Sequence, residues 1–253
     1  MALQFIFGSS GSGKSHSLYK KIIEEAAKHP ERNYIVLVPE QFSMQTQKDL
    51  VEASPDHAIM NIDILSFGRL AYRVMEETGG NQKIVLDDEG KNLILRKIAG
   101  DYEDELTILR GNLKRQGYIS EVKSVISEFA QYDIREEQID AMMEQAGVGT
   151  SLYYKLSDLK KVYQGFYAYL EENYITREEI LDLLCKRVPK SAILKDSVLA
   201  LDGFTGFTPV QNRLLAELLR VCRDVKVTVT IPGSEDPYLY QGPYELFALR
   251  DRK

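Results

Sequence analysis

The chain has 253 residues, with 32 Lys and Arg against 38 Asp and Glu and a formal net charge of −6. That balance excludes a global basic footprint, so any contact with nucleic acid is local or shared with a partner. Hydrophobic residues make up 44% and charged residues 28%, an ordinary soluble globular mixture, long enough to bury a core as one α/β domain or as a domain carrying an insertion.

The first predicted element is the apolar run Gln4-Phe5-Ile6-Phe7, a short strand. It runs into Gly8, Ser9, Ser10, Gly11, Ser12, Gly13, Lys14 and Ser15, a complete G-x-x-x-x-G-K-[ST] pattern, the Walker A phosphate-binding loop. A loop wrapping a polyphosphate must bring backbone N–H groups close to its oxygens, and glycines permit the tight backbone this needs. Lys14 then places a positive charge near the β- and γ-phosphates of a nucleotide, and the Ser15 hydroxyl is the expected Mg²⁺ ligand. A helix predicted over Ser15–Lys28 aims its N-terminal dipole at the anion. A Gly/Ser-rich turn can match such a pattern by chance; the strand before it and the helix after it favour the nucleotide reading.

Tyr34–Pro39 is a continuous β-branched run that reads as a buried parallel strand. Pro39-Glu40-Gln41-Phe42 turns into a helix over Ser43–Ala53. A strand over Ile59–Leu65 follows, then a helix from the Ser66 cap to about Glu77, ended by Thr78-Gly79-Gly80-Asn81. The β-α-β-α-β-α order is that of a doubly wound parallel sheet.

From residue 83 to 189 the pattern changes to helices, with at most a short strand at Lys83–Leu86. Helices are predicted over Asp88–Ala99, Tyr118–Tyr132, Arg135–Gln145, Ser151–Glu172 and Thr176–Arg187, the last opened by a Thr176/Glu179 capping box. The sheet resumes at Val198–Asp202, followed by a helix from Thr208-Pro209 to about Cys222 and a strand over Val225–Ile231. The expected organisation is a discontinuous P-loop domain, residues 1–82 and 190–253, interrupted by an all-helical insertion over 83–189.

A P-loop site needs a carboxylate on a neighbouring strand end to help hold Mg²⁺, and Asp202, after four apolar residues, is the candidate. An Asp that merely ends a strand is the plain alternative. Gly203 follows it and cannot act as a base, so the pattern predicts nucleotide binding with little or no hydrolysis; Glu217 lies too far along its helix to substitute.

Asp202-Gly203-Phe204-Thr205-Gly206-Phe207-Thr208-Pro209-Val210-Gln211 resembles a degraded motif II of superfamily 1 helicases. Asp202, Phe204 and Gln211 fit, whereas Gly203 stands where those proteins have Glu, and Phe207 also departs. Val36–Phe42 sits where motif Ia belongs, and Ile64–Leu70 resembles the segment that contacts single-stranded DNA. Together with Gly8–Ser15, Leu65–Val74 and Glu76–Gly80, these stretches resemble the AddB/RexB family, the B-type subunits of bacterial ATP-dependent helicase/deoxyribonucleases. The resemblance implies a RecA-like, superfamily 1 helicase-like domain with a 1B-like insertion. It also implies a heterodimer with an AddA-type helicase/nuclease subunit that carries the motor, and a role in resecting double-strand breaks and scanning for a recombination hotspot. A nuclease domain and an iron–sulfur cluster are implied only in a C-terminal region that this sequence does not include. ATP and Mg²⁺ are the implied ligands, DNA the implied substrate, and Ser66, Arg69 and Arg73 the candidate DNA contacts.

Other features are weaker. Arg69 and Arg73 lie one turn apart and could equally pair with Glu76 or Glu77. The aromatic series Tyr153, Tyr154, Tyr163, Phe166, Tyr167, Tyr169 and Tyr174, beside Lys155, Lys160 and Lys161, could stack bases, but helical spacing favours core packing with solvated lysines. Cys185 and Cys222 are expected to be buried reduced thiols, and His16, His29 and His57 have no evident role. The N-terminus enters a strand at once and no apolar run spans a bilayer, so a cytoplasmic protein with no membrane partner is expected. The sequence stops inside a predicted helix at Leu249–Lys253, which suggests a piece of a longer protein. An autonomous P-loop ATPase or kinase, or an interaction module with a vestigial P-loop, are the competing readings.

Overall fold

The computed structural model describes residues 2–79, 83–112, 115–171 and 173–231. The Gly80-Asn81 part of the predicted helix stop, Glu172 and the predicted C-terminal helix at Leu249–Lys253 lie outside the described residues. The chain divides into two compact units, Met1–Gly80 with Leu181–Lys253, and Asn81–Ile180.

The first unit is built on a five-stranded parallel sheet. Its strands are β1 (Ala2–Gly8), β2 (Tyr34–Leu37), β3 (Ile62–Leu65), β6 (Val198–Leu201) and β7 (Asp224–Thr230), in the order β1-β7-β6-β2-β3. β2 and β6 are central and all their residues are buried, which is why each reads as an unbroken apolar run rather than an alternation. Tyr34, Val36, Val198 and Ala200 point to one face. There they meet Leu18, Tyr19, Ile22 and Ala26 of α1 (Lys14–Lys28) and Leu50 of α2 (Ser43–Ala53). Leu18, Ile22 and Ala26 recur at four-residue spacing, the stripe a helix needs to lie on a sheet. Ile35, Leu37, Leu199 and Leu201, equally buried, point to the opposite face. α3 (Phe67–Thr78) follows β3, and α9 (Pro209–Val221) lies between β6 and β7 in the chain.

The local signals for the helix ends hold. The Ser66 hydroxyl caps α3 by accepting from Arg69 N–H, and Gly79 closes it at φ 112°. Thr208 and Gln211 form a reciprocal capping box on α9 with Pro209 in its first turn, so Gln211 here supports its own helix. β3 is shorter than predicted because Asn61 turns aside. Its side-chain amide donates to the carbonyls of Ala26, His29 and Arg32 at the end of α1, and the ladder begins only at Ile62.

The second unit holds α4 (Asp88–Asp101), α5 (Gln116–Gln131), α6 (Glu136–Ala146), α7 (Ser151–Leu170) and the start of α8 (Arg177–Arg187). Its core packs Leu95, Ile98, Ile119, Ile126, Val162 and Phe166. The short strand allowed for within Lys83–Leu86 is present as β4 (Ile84–Val85), and the otherwise all-helical expectation is corrected by β5 (Tyr174–Ile175), which pairs with it in parallel, with Ile84 N–H donating to the Asn173 carbonyl and Leu86 N–H to that of Ile175. Two-residue strands are too short to show a period of two. Asp158, buried on α7, accepts from the N–H groups of Thr107, Ile108 and Leu109 and so fixes the turn after α4. The predicted Thr176/Glu179 box is present in both directions.

Val162 and Phe166 are core, as helical spacing favoured, while Tyr169 is partly exposed with the Lys97 ammonium 4.6 Å over its ring. The solvated-lysine expectation is corrected for two residues: Lys160 donates to Asp140 at 2.7 Å and Lys161 to the Glu105 carbonyl at 2.7 Å. No helix among the described residues is long and apolar enough to cross a membrane.

Candidate functional site

The loop from Gly8 to Ser15 links the C-terminal end of β1 to α1, as a phosphate loop must. Gly11 and Gly13 sit at φ 74° and 83°, in the left-handed region that a side chain resists. At Gly8 the loop packs closely instead: a Cβ there would stand 2.4 Å from Ser12 Oγ and 3.0 Å from Lys14 Cγ, so the Ser12 hydroxyl would have to turn away. Ser12 N–H donates to the Ser9 carbonyl at 3.3 Å. The Lys14 ammonium folds back to the same carbonyl at 2.7 Å, so loop and cation form one compact, largely exposed cradle. His16 is exposed on the first turn of α1.

Asp202 follows the last residue of β6, its N–H bonded to Leu37 O at 3.0 Å, and its side chain is buried. Its Oδ1 accepts from Ser15 Oγ at 3.0 Å, across a separation of 187 residues. Oδ1 also accepts from Thr228 Oγ1 at 2.5 Å, and Oδ2 from Tyr19 Oη at 2.5 Å. The expectation of a neighbouring strand is corrected: β7 lies between β1 and β6, and Thr228 on β7 fills the gap. Tyr19 and Thr228 escaped sequence reasoning. Tyr19 carried a signal, since it stands four residues after Ser15 and therefore on the same helix face; Thr228 had none beyond its place in an alternating strand. Burial, reinforced by the hydrogen bond to Asp202, pushes the Tyr19 phenol well above its ordinary pKa, so it acts as a neutral donor.

Gly203 adopts φ 77°, and a Cβ there would meet Phe42 at 3.5 Å and Pro39 at 3.6 Å. Around it, at the C-terminal ends of β2, β3 and β6, aromatic rings gather. Phe67 and Phe204 lie 5.3 Å apart and Phe204 and Phe207 5.0 Å apart, with Phe42 half-exposed close by. In the sequence Phe204 and Phe207 are only fragments of a motif, because their contact with Phe67 is long-range.

The three candidate DNA contacts stand differently. Ser66 is buried, and its hydroxyl donates to Glu40 Oε2 at 2.9 Å while capping α3. Arg69 is exposed on α3. Arg73 pairs with Asp63 at 3.5 Å rather than with Glu76 or Glu77; Glu77 instead holds the turn at Ser191–Ile193. Both cysteines are free thiols, Cys222 buried and Cys185 only half-buried, which corrects the expectation that both are buried.

Comparison with known proteins places these features in a family. The family described as ADDB, N-terminal, matches residues 5–252. The chain is 47% identical over 235 residues, 93% of its length, to the B-type subunit of the ATP-dependent helicase/deoxyribonuclease of Lachnoclostridium phytofermentans, of which it covers 20%. It is 34% identical over 231 residues to the corresponding protein from Clostridium kluyveri and 33% identical over 231 residues to that from Alkaliphilus metalliredigens, covering 91% of this chain and 20% of each relative. The chain thus spans about a fifth of the length of the curated relatives it matches. On this match, the chain belongs to the ADDB N-terminal family.

Proposed function

We propose that the Gly8–Ser15 loop and Asp202 form an ATP site in a RecA-like, superfamily 1 helicase-like domain. In this reading the chain is the N-terminal, nucleotide-binding region of a helicase/deoxyribonuclease subunit acting on DNA ends with an AddA-type partner, with little or no hydrolysis of its own. The observation that carries the reading is the Ser15–Asp202 hydrogen bond, which joins the two halves of a P-loop site across 187 residues.

The residues fit the ligands. Gly8 supports a cradle that a Cβ would fill, and the Lys14 ammonium, now on the Ser9 carbonyl, has a phosphate oxygen as its stronger acceptor. Ser15 donates its single hydroxyl proton to Asp202, leaving both oxygen lone pairs for a cation. Mg²⁺, when bound with ATP, would neutralise phosphate charge at that position. Gly203 offers no group to orient or deprotonate a water, which supports binding without turnover. The exposed Arg69 and the half-exposed Phe42 near the Phe67–Phe204–Phe207 cluster support single-strand contact at the same end of the sheet, by a cation for phosphate and rings for bases.

Calorimetry with Mg-ATP tests the site. Binding by the purified full-length protein is expected, with affinity about 10–100-fold lower in Lys14→Ala, the range for losing one charged hydrogen bond. Absence of binding would remove the reading. Steady-state turnover above about 1 s⁻¹, an ordinary enzymatic rate, by the full-length protein purified without its partner would remove the claim of weak hydrolysis.

A further inference from the structure

The Asp202 carboxylate stands out for what already surrounds it. A carboxylate offers about four lone-pair positions. Ser15 and Thr228 occupy Oδ1, and Tyr19 occupies one position on Oδ2. The group is 5% exposed, so these hydroxyls replace the water that would otherwise solvate it. Tyr19 is itself held: it is 6% exposed, and its hydroxyl lies 3.4 Å from Thr46 Oγ1 on α2.

We propose that Tyr19 and Thr228 are positioning residues that satisfy Asp202 in advance, so that ATP binding at this loop depends only weakly on Mg²⁺. The proposal rests on the nucleotide-binding reading above. Its physical basis is the asymmetry between satisfied and unsatisfied buried anions. A desolvated carboxylate short of donors gains most from a cation or cation-bound water, and one that already accepts three hydroxyls gains least. Oδ1 has no lone pair left for such a donor, and Oδ2 has one, beside the Tyr19 hydroxyl. Removing the Tyr19 hydroxyl leaves Oδ2 without a hydrogen-bond partner among the described residues, and the cation then becomes worth more. Phenylalanine keeps the ring, which packs with Leu18 and Ile22 in the α1 core, and removes only the donor.

The test is the ratio of ATP dissociation constants measured in EDTA and in millimolar Mg²⁺, with the purified full-length protein. For the unaltered protein the ratio is expected to stay below about tenfold. In Tyr19→Phe it should rise about tenfold further, the size of one hydrogen bond to a charged group, and Thr228→Val should move it in the same direction. Thermal unfolding supplies a second readout: both variants should melt lower than the parent without ligand and regain more of the difference with Mg-ATP than with ATP in EDTA. An unaltered protein whose affinity collapses more than about 100-fold in EDTA overturns the proposal, as do folded variants with the parental ratio. Those outcomes leave the ATP reading standing, whereas absence of binding in either condition overturns both. If Tyr19→Phe fails to fold, the parental ratio and Thr228→Val still decide.

Discussion

Gly203 holds φ 77° directly after Asp202, with Phe42 3.5 Å from where a Cβ would stand. In the proposed reading, in which Gly203 stands where a catalytic Glu would, the difference reaches the backbone as well as the side chain. The backbone takes a left-handed conformation that costs an L-residue about 1–2 kcal/mol, and Phe42 and Pro39 stand at ordinary van der Waals distance from where a Cβ would be. Gly203→Glu is expected to leave ATP turnover at the parental level and to lower stability by about 1–3 kcal/mol through αL strain. Parallel measurement of steady-state turnover and urea unfolding checks both halves. A rise in turnover of tenfold or more would mean the local geometry tolerates a working base.

Beneath the same sheet, Lys226 on β7 donates to Glu25 on α1 at 2.7 Å. The lysine side chain is 4% exposed and the glutamate 32%. Removing the acid strands a buried ammonium, whereas replacing the lysine with an apolar chain of similar length removes the charge altogether. Glu25→Gln is expected to cost about 2 kcal/mol, below the 3–5 kcal/mol of a fully buried pair because Glu25 is partly solvated. Lys226→Met should stay within about 1 kcal/mol of the parent. Chemical denaturation of the two single variants and of the double variant gives the comparison; equal losses in the two singles would contradict this account.

The contrast between what was and was not legible in the sequence is physical. The Gly8–Ser15 loop, the β2 and β6 runs and the caps at Ser66, Thr176 and Thr208 are local, written in residues a few positions apart, and the structure forms each of them. Strand order is not local. Nothing in Asp224–Thr230 says that it separates β1 from β6, because pairing is decided by packing across the sheet. Thr228 and the Phe67–Phe204 contact were hidden for the same reason, and so was the partner of Arg73, which lies on the preceding strand rather than along its own helix. β5 failed for want of length, since two residues carry no periodicity.

Arg69 and Ser66 separate binding from structure on the proposed DNA face. Arg69 is exposed, while the buried Ser66 hydroxyl both bonds Glu40 and caps α3. Arg69→Ala is expected to weaken single-stranded DNA binding and to reduce the slope of log affinity against log salt by about 0.7, one phosphate contact on a single strand. Its melting temperature should not move. Ser66→Ala is expected to cost about 1–2 kcal/mol of stability, mainly through the lost cap, since the exposed Glu40 carboxylate can turn to water. Salt titrations of affinity and melting curves on both variants distinguish the roles, and a stability loss in Arg69→Ala with an unchanged salt slope would reverse the assignment.

The thiols give the structure a pH signature. Burial pushes both Cys185 and Cys222 up from 9.0 to about 11. For Cys222, the more deeply buried of the two, desolvation of the thiolate is the leading cause, and the Ser197 hydroxyl, 3.5 Å from the sulfur, opposes it. A thiol that ionises at 9 unfolded and at about 11 folded leaves stability unchanged below pH 9. Between 9 and 11 the unfolded chain releases a proton that the folded chain keeps, so stability falls as pH rises through that window. The full loss for Cys222 is about 2–3 kcal/mol, from a shift of about two units. Urea unfolding from pH 7 to 11 should therefore run flat and then fall, and Cys222→Ala should shallow the fall, leaving the part due to Cys185 and to Tyr19, Tyr34 and Tyr163, whose phenols are shifted in the same direction by burial. The same desolvation predicts slow alkylation of Cys222 by iodoacetamide at pH 8 in the folded protein and fast alkylation in urea, because only the thiolate attacks. Rapid labelling of Cys222 under native conditions would show that the Leu218–Cys222 end of α9 opens far more readily than its burial indicates.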